Sequence, residues 1–191
     1  MKLFMNGTSI SVINIISLEG KKMDSIRYFK DNFFSAGLTE IYTEDKEIVG
    51  TLDLKSAFSS SLDVLNAKDE IVVQGRFPFF SNRWIIEDHT GTELGVLRGR
   101  FSFFTKRFEY TSHEYGVYRI ESPTFSRHYE IYNGDGEKEA EFDRINGFFQ
   151  SPAFRLQNRS PFSDGEMTAV VMGVYMIQKR NDSAATIAPN T

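Results

Sequence analysis

The stretch with the most chemical content runs Arg98-Gly-Arg-Phe-Ser-Phe-Phe-Thr-Lys-Arg-Phe108. It carries the cations Arg98, Arg100, Lys106 and Arg107, interleaved with four phenylalanines, and no acid. Cations beside exposed rings suit an anionic headgroup at a membrane surface, or stacked single-stranded bases. The same pattern also arises without a ligand. Alternation around a strand turn would send Phe101, Phe103, Phe104 and Phe108 into a core and leave the cations as solvated surface charge. Arg98, Arg100, Lys106 and Arg107 are therefore the candidate ligand-binding residues, with plain surface charge as the competing reading. A second basic stretch, Arg144, Arg155 and Arg159, would extend the patch if its strands were neighbours of the first. A third spot is Arg76-Phe-Pro-Phe-Phe80, followed by Arg83 and Trp84, where Pro78 reads as a bend between strands.

Other chemistries find little support. The chain has no cysteine, which excludes disulfides, thiolate nucleophiles and zinc sites built on Cys. His89, His113 and His128 stand at no metal-ligand spacing and read as surface or structural residues. Asn133-Gly-Asp-Gly136, with Glu137, reads as hairpin-turn chemistry, because a calcium loop needs a longer ligand series ending in Glu. The carboxylate pairs Glu44-Asp45 and Glu87-Asp88 lie in or beside turns. No Gly-x-Ser-x-Gly, P-loop or dinucleotide fingerprint occurs. A catalytic base, nucleophile and orienting partner are all missing from the pattern. The expectation is a non-enzymatic binding module with no catalytic residue, metal or cofactor. A net charge of −4 argues against nucleic acid as its dedicated partner. An anionic phospholipid or membrane surface fits better, with a protein-interaction scaffold as the alternative.

The elements that must hold these residues read as strand after strand. Three segments line up at one offset: Ile41 to Leu52, Ile86 to Leu97 and Ile131 to Phe142. Ile41, Ile86 and Ile131 are 45 residues apart each time, and so are Gly50, Gly95 and Ala140. Each segment has turn residues between two apolar runs, the signature of a β-hairpin. Further strands are expected over Ser9 to Ser17, Ile26 to Phe34, Leu62 to Leu65, Glu70 to Arg76, Lys106 to Thr111, Tyr115 to Glu121 and Ser151 to Gln157. About four strands per period also describes a propeller blade, but a propeller needs at least ~4 blades and the chain holds about three units. One closed barrel fits better.

A different pattern stands near the end. Ala169 to Ile177 is apolar on every helical face, with Asp164 as the expected N-cap and Lys179 and Arg180 at the far end. The run is too short for a bilayer, which needs about 20 residues. It is expected inside protein, with the strands wrapped around it. The expected fold is thus mainly β: a closed antiparallel barrel around one central apolar helix at about 164–180, in a single domain spanning 1–180. Residues 181–191 read as a loose tail. The N-terminus shows no signal-peptide pattern, so a soluble, cytoplasmic protein is expected, peripheral to a membrane if the basic stretch is functional.

Hairpins of the form Ile-x-Asp-x-x-Gly-x-x-Leu-Gly-x-Leu, as in Ile86 to Leu97, repeat along the chain and end in an apolar helix. This pattern resembles the tubby C-terminal-like superfamily, which includes tubby domains, LURP-one-related proteins, phospholipid scramblases and small bacterial relatives. The resemblance covers about residues 25 to 180 and implies a barrel of roughly twelve strands around a central helix. Tubby domains bind phosphoinositide headgroups through basic side chains, none of which maps one for one onto this sequence. The lack of cysteine departs from the scramblases. The LURP-one-related and small bacterial members are closest in size and style.

Overall fold

A computed structural model describes residues 24–30, 37–55 and 61–187. Its strands are β1 (Ser25–Lys30), β2 (Gly37–Tyr42), β3 (Ile48–Leu54), β4 (Ser61–Asn66), β5 (Ile71–Arg76) and β6 (Arg83–Asp88). They continue as β7 (Glu93–Arg100), β8 (Thr105–Ser112), β9 (Gly116–Pro123), β10 (His128–Tyr132), β11 (Lys138–Ile145) and β12 (Ala153–Asn158). Helix α1 (Asp164–Ile187) follows. Every strand pairs antiparallel with the next, and β1 closes the ring against β12. The expected closed barrel is therefore the observed one. The strand expected over Ser9 to Ser17, and the end of the one expected over Ile26 to Phe34, lie outside the described residues.

The 45-residue offset has a structural meaning. Ile41, Ile86 and Ile131 all point into the core, and each is followed by a register shift in its hairpin. The turns repeat one hydrogen bond: Thr43 N to Glu47 O at 2.9 Å, Asp88 N to Thr92 O at 2.9 Å, and Asn133 N to Glu137 O at 3.0 Å. Each turn then needs a left-handed residue, supplied by Lys46, Gly91 and Gly136. The small residue that follows meets the next strand closely. A Cβ on Gly50 would lie 2.4 Å from Leu65 O, and one on Gly95 would lie 2.5 Å from Thr111 O.

Helix α1 fills the lumen. Met167, Ala169 to Met172, Val174, Met176 and Ile177 are all buried, so every face of the helix is covered. Trp84 of β6 holds it in place, with its Nε1 donating to Ala169 O at 3.1 Å. The indole lies against two glycines. A Cβ on Gly75 or on Gly173 would approach it to 2.4 Å.

Both ends of the helix differ from expectation. Ser163, not Asp164, caps it: Ser163 Oγ accepts from Glu166 N at 3.0 Å. Asp164 instead ties the first turn to the wall, with Oδ2 2.7 Å from Arg27 Nη2 and Oδ1 accepting from Ser25 Oγ at 2.6 Å. The helix also runs past Arg180 to Ile187, into the region expected to be a loose tail. No glycine or proline stands between Gly173 and Pro189 to stop it. Ser183 Oγ donates back to Lys179 O at 2.8 Å within this extension.

Because the odd-numbered strands run one way, the barrel has two chemically distinct ends. The hairpin turns β2–β3, β4–β5, β6–β7, β8–β9 and β10–β11 share the end where α1 enters. The connections β5–β6, β7–β8, β9–β10 and β11–β12 belong to the opposite end, where α1 leaves.

The helix-filled lumen makes a direct prediction. Val171→Asp places an unpaired charge in the core and is expected to abolish cooperative folding, as read by circular dichroism and urea titration. Gly173→Trp is expected to do the same by steric conflict with Trp84. Gly173→Ala should fold but lose about 1–3 kcal/mol through overpacking. A cooperatively folded Val171→Asp protein would contradict this account of the core.

Candidate functional site at the barrel mouth

The end where α1 leaves is built from short connections that carry rings. Residues 77–82 join β5 to β6, 101–104 join β7 to β8, and 124–127 join β9 to β10. Phe79, Phe80, Phe101, Phe103, Phe104 and Phe125 project from them, each between 79% and 100% exposed. The rings cluster in pairs, with centroids 4.2 Å apart for Phe79–Phe80 and 4.8 Å apart for Phe101–Phe103. These three connections contain no acid. The hairpins of the opposite end carry Glu44, Asp45, Glu47, Asp69, Glu70, Glu114, Asp135 and Glu137.

This placement corrects the core reading of the Arg98–Phe108 stretch. Only Phe108 faces the core. Strand β7 ends at Arg100 and β8 begins at Thr105, so Phe101, Phe103 and Phe104 belong to a connection, where strand alternation has no hold. Phe148 and Phe149, in the β11–β12 connection, behave differently. They fold back on the outer wall, where Phe148 stacks on Tyr28 at 3.8 Å and Phe149 packs against Tyr42 at 5.0 Å.

The cations stand just behind the rings. Arg83, Arg98, Glu109 and Arg119 occupy one cross-strand row over β6, β7, β8 and β9. Arg100, Arg107 and Glu121 form the next row toward the mouth. Two pairs, Arg83–Arg98 and Arg100–Arg107, thus put like charges directly opposite each other, which is locally destabilising. The glutamates relieve part of this. Arg100 pairs with Glu109, and Arg107 Nε lies 3.5 Å from Glu121. Hydrogen bonding to Glu109 pushes the ionisation of Arg100 above its ordinary value. Arg98 has no ion-pair partner among the described residues.

Lys106 points the other way, into the mouth. Its Nζ donates to Ser126 O at 2.9 Å and lies 5.6 Å from the ring centroid of Tyr129. Between this lysine, Arg98 and the emerging helix lies a cleft of about 620 Å³. Gly99, Phe108, Ile177 and Gln178 are among its lining residues. The four sequence-predicted residues therefore meet at one cleft, Arg98, Arg100 and Arg107 from the outer face and Lys106 from within.

The other basic stretches divide. Arg144 and Arg155 lie on β11 and β12, separated from β8 by β9 and β10, so the proposed single patch does not form. Arg155 lies 3.8 Å from Glu141 and Arg159 3.1 Å from Asp24. The third spot, by contrast, joins the first, because β6 pairs with β7. Arg83, Phe79 and Phe80 stand in that third spot but not among the candidate ligand-binding residues, and Phe125 lies in none of the three stretches. The turn residues Pro78, Ser81 and Asn82 around the two rings were the available signal.

Other clusters have structural roles. His128, Glu130 and Glu141 converge, but Lys138 Nζ already lies 3.3 Å from Glu130 and 2.8 Å from Glu141. The hydrogen bond from Lys138 holds the Glu141 carboxyl below its ordinary range. Inside the barrel, Tyr110 Oη donates to Glu166 Oε1 at 2.6 Å and anchors the first turn of α1 to β8. Burial, with the carboxylate beside it, pushes ionisation of this tyrosine far up.

No family profile and no curated relative matches the sequence. A structural resemblance does exist: the X-ray structure of an Arabidopsis thaliana protein superposes with a TM-score of 0.55 at 12% identity, covering 83% of this chain and 91% of that one. At that identity the likeness concerns the fold alone. The class is thus a closed twelve-strand β-barrel with a central helix. No helix among the described residues is long and apolar enough to cross a membrane.

The like-charged row has a measurable cost. Arg83→Gln should be neutral or stabilise the protein by a few tenths of a kcal/mol, on the order of one cross-strand charge pair. Urea unfolding at low and high salt checks this, and the gain should shrink as salt screens the repulsion.

Proposed function

We propose that this protein is a non-enzymatic binding module that docks onto an anionic membrane surface through its barrel mouth. The observation that carries this reading is the rim of exposed phenylalanines, in connections free of acid, directly in front of the Arg83–Arg98 and Arg100–Arg107 pairs. Contiguous exposed apolar surface on a folded domain marks an interaction site. Aromatic side chains favour the headgroup level of a bilayer, and basic residues behind them are attracted to anionic lipids. The acidic hairpins would face away from the membrane in this orientation. The tubby-like pattern of the hairpins agrees with such a role, since tubby domains bind lipid headgroups. A cytoplasmic protein peripheral to the membrane is the matching cellular picture.

Vesicle co-sedimentation with neutral and anionic lipids, at low and high salt, tests the reading. Binding is expected only to anionic vesicles and should fall with salt. At about 1 kcal/mol per engaged cation, Arg98→Glu combined with Lys106→Glu should weaken it tenfold or more. Phe103→Ser combined with Phe104→Ser should weaken it with little change in the salt dependence. Absence of vesicle binding, together with concentration-dependent sedimentation, would assign the rim to contacts between proteins instead.

A further inference from the structure

We infer that the end of α1 beyond Arg180 is an internal competitor for the cations of the mouth, and that it unwinds and moves aside when the mouth docks. This deepens the membrane-surface reading and rests on it, because the surface that displaces the helix end is the one proposed there.

The first ground is position. Arg180 ties the helix to the β5–β6 connection, with Nη1 donating to Ser81 O at 3.1 Å and Cζ 4.2 Å from the ring centroid of Phe77. The helix continues to Ile187, so about 10 Å of it lies past this tie. Asn181, Asp182 and Ser183 are exposed there. Asn181 and Asp182 line the same cleft as Phe101 and Phe103 of the rim, and the helix runs on from them. A flat surface laid against the rings would therefore meet the helix end as well.

The second ground is charge. Asp182 is the only acid among the residues lining the cleft, against Arg83, Arg98, Arg100, Lys106 and Arg107. The C-terminal end of a helix is itself electronegative, and no basic residue stands in the last turn of α1 to offset it. The cations of the mouth attract this end, whereas an anionic surface repels it. It cannot sit between the two, so docking favours its departure. The third ground is how little holds it. Past Arg180, the bond that Ser183 Oγ donates to Lys179 O stays within the helix, and Asn181 bonds no strand among the described residues. Asn, Asp and Ser side chains compete with a helix by bonding nearby backbone in other conformations. Exposed helical turns without tertiary packing are marginal in water, so unwinding residues 181–187 costs little.

The chain has no cysteine, so Ser183→Cys carries a nitroxide at one position only. The label is expected to show restricted, helical motion in solution and with neutral vesicles, and its spectrum should sharpen when the protein binds anionic vesicles. Co-sedimentation supplies the affinities. Asp182→Asn should bind anionic vesicles about fivefold more tightly, the worth of one charge at such a surface. Asn181→Ala combined with Ser183→Ala changes no charge but favours the helix, and should weaken binding about threefold. Vesicle binding with an unchanged nitroxide spectrum, or with wild-type affinity in the double alanine variant, would overturn the inference and leave the membrane reading standing. Absence of vesicle binding by the wild type and by Asp182→Asn alike would remove the surface reading and the inference with it.

Discussion

A closed sheet of twelve strands encloses more space than its own inward side chains can fill, and the fold depends on how that space is occupied. Barrels of about eight strands can be packed by their own side chains, while wider ones are left with a lumen. Here α1 supplies the missing volume, and it can do so only because its apolar surface has no polar face. Trp84 is the contact through which wall and helix fix each other's position. Its ring is accommodated by two glycines, Gly75 on the neighbouring strand and Gly173 on the helix, while its Nε1 is satisfied by Ala169 O. At the entry end, the polar ties of Asp164 and Glu166 set the depth of the helix.

Filling the lumen with a helix also determines where function can sit. Strand alternation directs one face of every strand to the helix, so the inner surface is committed to packing. The outer wall remains, along with the two ends. At the entry end, tight turns are closed by Asn66, Asp88 and Asn133, whose side-chain oxygens accept from nearby backbone N–H groups. That chemistry is spent on turn geometry. At the opposite end the connections carry exposed rings, and the departing helix leaves a cleft between itself and β7. A binding site is therefore most readily accommodated at this mouth.

The architecture was legible in the sequence for physical reasons that differ between elements. The 45-residue offset was readable because each hairpin needs the same inward Ile, the same turn and the same small residue where strands approach. The helix was readable because its apolar run has no polar stripe. Its cap was misplaced by one residue, since Ser163 and Asp164 are both good capping types and only the structure shows that Asp164 is taken by Arg27 and Ser25. Its end was misplaced because a Lys-Arg pair resembles a last turn, while nothing in the next residues breaks the backbone ladder. The site was half legible. Arg98, Arg100, Lys106 and Arg107 do meet at one cleft, and the β6–β7 hairpin sets Arg83 opposite Arg98, but the ring of Phe125 comes from the β9–β10 connection, which no stretch of the sequence marked. The fate of Phe101, Phe103 and Phe104 turned on where β7 ends, and boundaries are what a pattern fixes least well.

The rim is the part of the molecule that folding does not explain. Full burial of a phenylalanine is worth about 1.5–3 kcal/mol. Six of the 18 phenylalanines forgo this at one mouth, in three connections that are adjacent around the barrel. Single exposed apolar residues are ordinary on protein surfaces, but a contiguous group of them is not. Behind them, like-charged arginines face each other across strands, at a further cost to the isolated fold. Two independent departures from what stability favours, one apolar and one electrostatic, thus occur at the same place. Contact with a surface that is both apolar and anionic would offset both at once. Water relieves only the second, and an ordinary protein interface relieves the second only if it brings matching acids. That coincidence, more than the number of basic residues, is what favours a lipid surface as the partner of this mouth.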